Sequence, residues 1–338
     1  MTGRTEEPGR GKIEDVARAT GVSIMTVSRA LRGVEGVSEA RRREIVRAAR
    51  SLGYVPNRAA QTLAIANSNL VGMSFPTMFD QVFADMFDGM RATLDKAGFE
   101  VVLDLSNYDT GREARWVDRM LSWQPAGMVL TGVTHDEPLR ERLRAGRIPT
   151  LEIWQAHDDP IDCVVGIDQA EAGAAVAHHL FERGFRSFAY VGMAPGTDDR
   201  SDQRFAGFCR AAQRLGLAEP VGLLSPFPTS FEVGAARTEE ALRDHGHVDA
   251  IFYLNDHLAF GGLCACERLG VRVPERLGVM GFNALDLRAV LPRALSTVQT
   301  HRRAMGETGI RNLLARINGA RVPSRTVTPF DIVQGETT

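Results

Sequence analysis

The stretch Lys12–Leu31, KIEDVARATGVSIMTVSRAL, constrains the chain more than any other. Ile13, Val16, Ala17, Val22, Val27 and Leu31 recur at helical spacing on either side of a break at Gly21. Glycine accepts the left-handed backbone that ends one helix, and Ser23 suits the start of the next, where its oxygen can accept from an otherwise unpaired backbone N–H. Two short helices across a tight glycine turn form a helix-turn-helix unit. The second, about Ser23–Leu31, places Ser23, Ile24, Met25, Thr26, Ser28 and Arg29 on the end and face that such a helix presents to a DNA major groove. Arg29 can pair with guanine, whereas Met25 offers only apolar contact with a thymine methyl group.

A third helix is predicted over Ser38–Leu52, with Arg41, Arg42, Arg43, Arg47 and Arg50 outside and Ile45, Val46 and Leu52 inside. Residues 1–66 hold 12 Lys and Arg against 7 Asp and Glu, a net of +5, in a chain whose total is −2. A basic end on an acidic remainder points to nucleic acid as its partner. Pro56 then stands at a helix-start position, and Asn57–Ala64 has length for about two turns of helix, too few to be stable alone in water.

From residue 69 the pattern changes. Apolar runs at Leu70–Phe75, Glu100–Leu105, Gly127–Thr131, Thr150–Trp154, Cys163–Ile167, Ser187–Val191, Val221–Leu224, Ala250–Leu254, Gly278–Phe282 and Ser296–Thr300 alternate with helical stretches, and Thr326–Gln334 reads as one returning strand. Near-continuous apolar strands alternating with helices imply an α/β body of parallel sheets covered on both faces. Two such sheets in a stretch of this length resemble the two-lobed periplasmic-binding-protein type of body. The N-terminal part is all-α.

Composition narrows the function. No apolar run reaches the length of a membrane span, and MTGRTEEPGRG is a polar tail (residues 1–10, expected disordered) rather than a signal peptide. Cys163, Cys209, Cys264 and Cys266 are expected as free, buried thiols of a cytoplasmic protein. No GxSxG elbow or P-loop occurs. His178–His179 and His245/His247 lack a third ligand nearby, so neither a catalytic centre, nor a metal, nor a cofactor is expected.

DVARATGVSIMTVSRAL followed by GYVPNRAAQTLA resembles the lac repressor family of bacterial transcription regulators. MTVSRALR, QVFAD, MLSWQPAG, LTGVTH, VGID and LLARINGA are most similar to its gluconate-operon repressors. The resemblance covers the chain after residue 11. It implies a DNA-binding domain at 11–55 and a hinge helix at 56–65 that pairs across a homodimer in the minor groove. Asn57, Arg58, Ala60 and Leu63 would contact DNA there, Leu63 as the wedge that kinks the duplex. It further implies an effector-binding and dimerisation domain at 66–338, with lobe one at about 69–167 and 300–326 and lobe two at about 168–298 and 327–338.

In open α/β sheets ligands bind beyond the carboxyl ends of the strands. Polar residues at those ends are Asp80, Gln81, Thr131, Thr134, His135, Asp168, Gln169, Arg200, Arg204, Asn255, Asp256 and Asn283, each of them equally able to serve as a cap or loop residue. Asp256, for one, is placed to cap the helix starting near His257. By resemblance, Arg204 in RFAGF is an effector-binding arginine, Val82 and Phe83 stand at positions that pack against effectors although either is equally suited to core packing, and Asn283 stands where sugar-binding relatives often carry Asp. Arg200 and Arg204 together suit an anionic ligand. The expected function is a transcription regulator, a repressor released from a pseudo-palindromic double-stranded operator by an effector such as gluconate. The alternatives are control by a corepressor (a purine or a phosphoprotein), or a solute-binding protein or enzyme built on the same body.

Overall fold

The computed structural model describes residues 11–55, 68–78, 81–226, 229–290 and 292–338. The chain divides into two compact units, Met1–Ser68 and Asn69–Thr338. The expected N-terminal tail and the helix expected at 56–65 lie outside the described residues.

The first unit holds three helices, α1 (Ile13–Thr20), α2 (Ile24–Arg32) and α3 (Glu39–Ser51). Gly21, at φ 63°, ends α1, and Ser23 caps α2 by accepting from Thr26 N at 3.2 Å. Ser38 caps α3 in the same way, from Arg41 N. Val16, Val27 and Ile45 are fully buried at the centre, one from each helix, with Ala17, Ala30 and Ala49 around them. So few buried side chains make a small core of modest stability. Leu52, expected inside, is exposed, because α3 ends one residue before it.

The second unit begins with β1 (Leu70–Phe75), α4 (Gln81–Ala97), β2 (Glu100–Leu105), α5 (Thr110–Leu121), β3 (Gly127–Thr131), α6 (Glu137–Ala145), β4 (Thr150–Gln155) and β5 (Cys163–Ile167). These strands and β11 (Arg325–Val327) form a six-stranded parallel sheet in the order β11-β5-β4-β3-β1-β2. All residues of β4 and β5 are buried, whereas β2, at the edge, is half exposed. The chain continues through α7 (Gln169–Glu182), β6 (Phe188–Met193), α8 (Asp199–Arg214), β7 (Val221–Ser225), α9 (Phe231–Asp244), β8 (Ala250–Tyr253), α10 (Asp256–Arg268) and β9 (Gly278–Met280). Here β7-β6-β8-β9 form a second parallel sheet. Then come β10 (Thr297–Gln299), α11 (Arg302–Ile317), β11 and β12 (Asp331–Val333).

The returning segment is two strands, not one. β11 joins the first sheet beside β5, and β12 pairs antiparallel with β10 next to the second. The chain therefore passes between the sheets at three places: after β5, between β10 and α11, and between β11 and β12.

Helix pairs cover the sheets, and the packing of α7 against α8 positions a buried arginine. Gly207 of α8 lies against the Ala170 carbonyl, and Gly173 of α7 against the Arg204 carbonyl, so closely that a Cβ at either would collide with backbone. That approach sets the depth of Arg204. All four cysteines are free, but only Cys163 and Cys266 are buried; Cys209 is half-buried and Cys264 exposed. Among the described residues, no helix is long and apolar enough to cross a membrane, and no group of His, Cys, Asp and Glu could hold a metal ion.

Candidate functional site

The first unit carries an exposed, basic helical surface. Ser23 is committed to the α2 cap and also lies 2.9 Å from Thr26 Oγ1. Beyond the cap, Ile24 is 46% and Met25 68% exposed although both are apolar. Arg29 is exposed on the same helix, and Ser28 is half-buried. Arg43, Arg47 and Arg50 are exposed on α3, while Arg42 is tied to the Val34 carbonyl at 3.0 Å. The remaining expected DNA contacts, Asn57, Arg58, Ala60 and Leu63, lie outside the described residues.

The second unit holds two adjoining chambers between its sheets. The inner one, about 60 Å³, is lined by Val82 and Phe83 from α4, Trp154 from the end of β4, Arg204 from α8, and Asn255 and Asn283 from loops of the second sheet. Arg204 is 3% exposed. Its Nε and Nη2 donate to Gln169 Oε1 at 3.1 and 2.7 Å, its Nη1 donates to the Leu254 carbonyl at 2.6 Å, and its guanidinium stacks 3.4 Å from the Phe282 ring centroid. None of these partners is a carboxylate. Burial pulls its pKa down to about 10, against the opposing pull of Tyr190 and the nearby Asp198 carboxylate. Asn283, 6% exposed, leaves its side-chain oxygen without a hydrogen-bond partner.

Backbone strain gathers here as well. Trp154 has φ 93°, Asn283 φ 105° and Tyr108, which lines both chambers, φ 62°. For a bulky aromatic residue the left-handed region is costly, and residues held there cluster at ligand sites.

Arg200 faces both chambers, and its side chain is 12% exposed. Its charge is already met: Nε donates to Asp198 Oδ1 at 2.7 Å and Nη2 to Oδ2 at 3.1 Å. Burial works against the Asp198 charge, but the Arg200 guanidinium outweighs it and holds the carboxyl below the usual range. Two arginines do converge on the cleft, and of the two only Arg204 makes no hydrogen bond to a carboxylate.

The outer chamber, about 300 Å³, is lined by Thr131, Thr134, Gln155, Tyr108 and a group of carboxylates that includes Asp198, Asp199 and Glu113. The Thr131 hydroxyl donates to the Ser74 carbonyl at 2.9 Å. His135 stands behind the wall, with Nδ1 2.6 Å from Glu113 and Nε2 3.6 Å from Glu152. Burial lowers its pKa, but the two carboxylates outweigh that and hold it above the ordinary histidine value.

Of the candidates at strand ends, the structure brings Phe83, Arg200, Arg204, Asn255 and Asn283 to the inner chamber, and Thr131 and Thr134 to the outer. Five do not reach either, among them His135, which is held by Glu113 behind the outer wall, and Gln169, which is committed to Arg204. Asp168 caps α7, accepting from Glu171 N at 3.0 Å. Gln81 opens α4, with Oε1 3.5 Å from Asp286 N. Asp256 is fully buried within α10's first turn, accepting from Thr297 Oγ1 and Leu285 N, each at 2.6 Å. The cap of α10 is Asn255, which accepts from Leu258 N at 3.0 Å, so the expected Asp256 cap belongs one residue earlier. Asp80 lies outside the described residues. Tyr108, Trp154, Gln155 and Asp198 line the chambers although the sequence does not single them out. Of these, Asp198 alone carries a signal, as an acidic neighbour two residues before Arg200.

A three-helix DNA-binding unit and a two-sheet α/β body with a ligand-sized interior define a ligand-responsive transcription regulator. Residues 12–57 match the bacterial regulatory proteins of the lacI family, and residues 177–338 match the periplasmic binding protein-like domain. The chain is 37% identical over 320 residues to the HTH-type transcriptional regulator GntR of Pseudomonas aeruginosa, covering 94% of this chain and 92% of that one. It is 34% identical over 313 residues to the GntR regulator of Escherichia coli, covering 93% and 94%. The solved structure of a LacI-family transcriptional regulator from Silicibacter pomeroyi superposes with a TM-score of 0.89 at 32% identity, over 96% of this chain and 98% of that one. The chain belongs to the lacI family of bacterial regulatory proteins and is a DNA-binding transcription regulator, and the relatives it matches are named as regulators rather than enzymes.

Proposed function

We propose that the protein is a repressor that binds a pseudo-palindromic operator as a homodimer and releases it when a sugar acid such as gluconate enters the inner chamber. Recognition helices of a dimer read half-sites one helical turn or a multiple of it apart, which is why such operators are near-symmetric. Ile24, Met25, Thr26, Ser28 and Arg29 are the side chains offered to the bases. The ligand acts by binding one arrangement of the body better than another, and the same coupling free energy lowers ligand affinity when DNA is bound.

One observation carries the ligand class. Arg204 is a buried cation whose hydrogen-bond partners are all neutral. A buried charge without a partner is costly, and a carboxylate on the guanidinium removes that cost while making a bidentate pair. The GntR name of the two relatives and the gluconate-operon motifs favour a sugar acid among carboxylates.

Thermal melting of the purified protein against sugar acids, neutral sugars, sugar phosphates and purines tests the reading. A ligand at 100 times its Kd stabilises by about 2.7 kcal/mol, a shift of a few degrees in a chain of this size. The expected result is a shift with gluconate that Arg204→Gln abolishes. A shift confined to neutral sugars or purines would overturn the ligand class.

A further inference from the structure

The two chambers share Tyr108, Asp198 and Arg200 as a common wall and carry opposite charge. The inner one offers Arg204, a buried cation hydrogen-bonded only to neutral groups. In the outer one, Arg200 is the one cation among the described lining residues, and it is spent on Asp198. The outer carboxylates are held too: Asp202 accepts from Gly196 N at 2.8 Å, and Glu113 lies against His135. Their field repels a second anion, and a neutral donor is what they admit.

Gln155 makes that demand specific. Its Nε2 donates to Asp199 Oδ2 at 2.7 Å. A carboxylate can only accept, so this contact fixes which end of the amide is which. The other end, Oε1, is left without a hydrogen-bond partner on a residue 1% exposed. A buried acceptor left unpaired is destabilising, and a hydroxyl group of a ligand would satisfy it.

We infer, building on the sugar-acid reading, that the ligand is a linear polyhydroxy acid lying across both chambers, carboxylate on Arg204 and distal hydroxyl groups on Gln155 Oε1, so that the site selects chain length. The inner chamber, at about 60 Å³, takes the acid end, and the outer, at about 300 Å³, takes the tail. Gln155 is then a specificity-determining residue, and the acidic outer wall excludes diacids whose second carboxylate would fall there.

Calorimetric titration of the full chain with glycerate, threonate and gluconate tests this. Wild type should bind gluconate at least about tenfold more tightly than glycerate, roughly what one or two hydrogen bonds supply. Gln155→Leu should weaken gluconate about tenfold and leave glycerate within about twofold. Thr134→Trp, at an exposed position of the outer wall, should give the same selective loss by filling the tail space while sparing the core. Equal binding of all three acids, or equal weakening of all three in Gln155→Leu and Thr134→Trp, overturns the two-chamber inference. If that length-independent binding is still lost in Arg204→Gln, the sugar-acid reading survives it. Absence of binding by any of the acids overturns both.

Discussion

Asp256 shows how one buried side chain ties the loop at Asn283 to the fold. Its carboxyl, fully buried, gathers the Leu285 N–H and the Thr297 hydroxyl, and so holds the segment that begins at Asn283. Burial raises its pKa to about 7, with the hydrogen bonds opposing that shift. A folded-state value above the unfolded one means that the native state keeps a proton the unfolded chain has lost. This contribution to stability is complete below the unfolded value of about 4 and is lost as pH rises through about 7. Asp256→Asn removes the titration. Between pH 5 and pH 8 the variant should therefore lose less stability than wild type, by roughly 2–3 kcal/mol, read from urea midpoints at several pH values. Parallel pH profiles would contradict the assignment. In the sequence Asp256 reads as a cap because Asn255 and Asp256 are both cap-forming types side by side, and only the backbone decides which stands at the boundary. Trp154 and Tyr108 are silent in the sequence for a related reason: a positive φ in an aromatic residue is imposed by tertiary contacts and leaves no mark on residue type.

Elements are more legible than residues, because periodicity is a property of many positions at once. The parallel strands β1, β2, β3 and β5 run over the residues their apolar patterns mark, and the caps at Ser23 and Ser38 stand where helix-start chemistry places them. The segment from Thr326 to Gln334 reads as a single strand because its apolar alternation continues through the point where the chain leaves one sheet for the other. RFAGF is legible as a motif, but its glycine has a packing role: Gly207 allows α8 to lie against the Ala170 carbonyl of α7 and so sets Arg204 into the inner chamber. Gly207→Ala should force the helices apart, costing about 1–3 kcal/mol in stability. It should also weaken gluconate binding although the residue itself lines neither chamber. Unchanged denaturation and unchanged affinity would show that the α7–α8 approach does not position Arg204.

At the scale of the whole molecule, charge and chemistry are divided along the chain. The N-terminal 66 residues carry a net +5 and expose Ile24, Met25 and Arg29 on α2, while the remainder is acidic and encloses a cation hydrogen-bonded only to neutral groups. In the proposed repressor, filling the cation's site lowers affinity for DNA. Titration of a pseudo-palindromic duplex, selected by the protein from a random library, with and without saturating gluconate reads that coupling. One fixed salt concentration is needed throughout, since phosphate contacts make such affinities salt-dependent. Gluconate should weaken binding by about 5–150-fold in wild type, the usual span of allosteric coupling, and leave Arg204→Gln unaffected. DNA affinity that gluconate leaves unchanged in wild type would refute the coupling, and affinity that it tightens would make the ligand a corepressor.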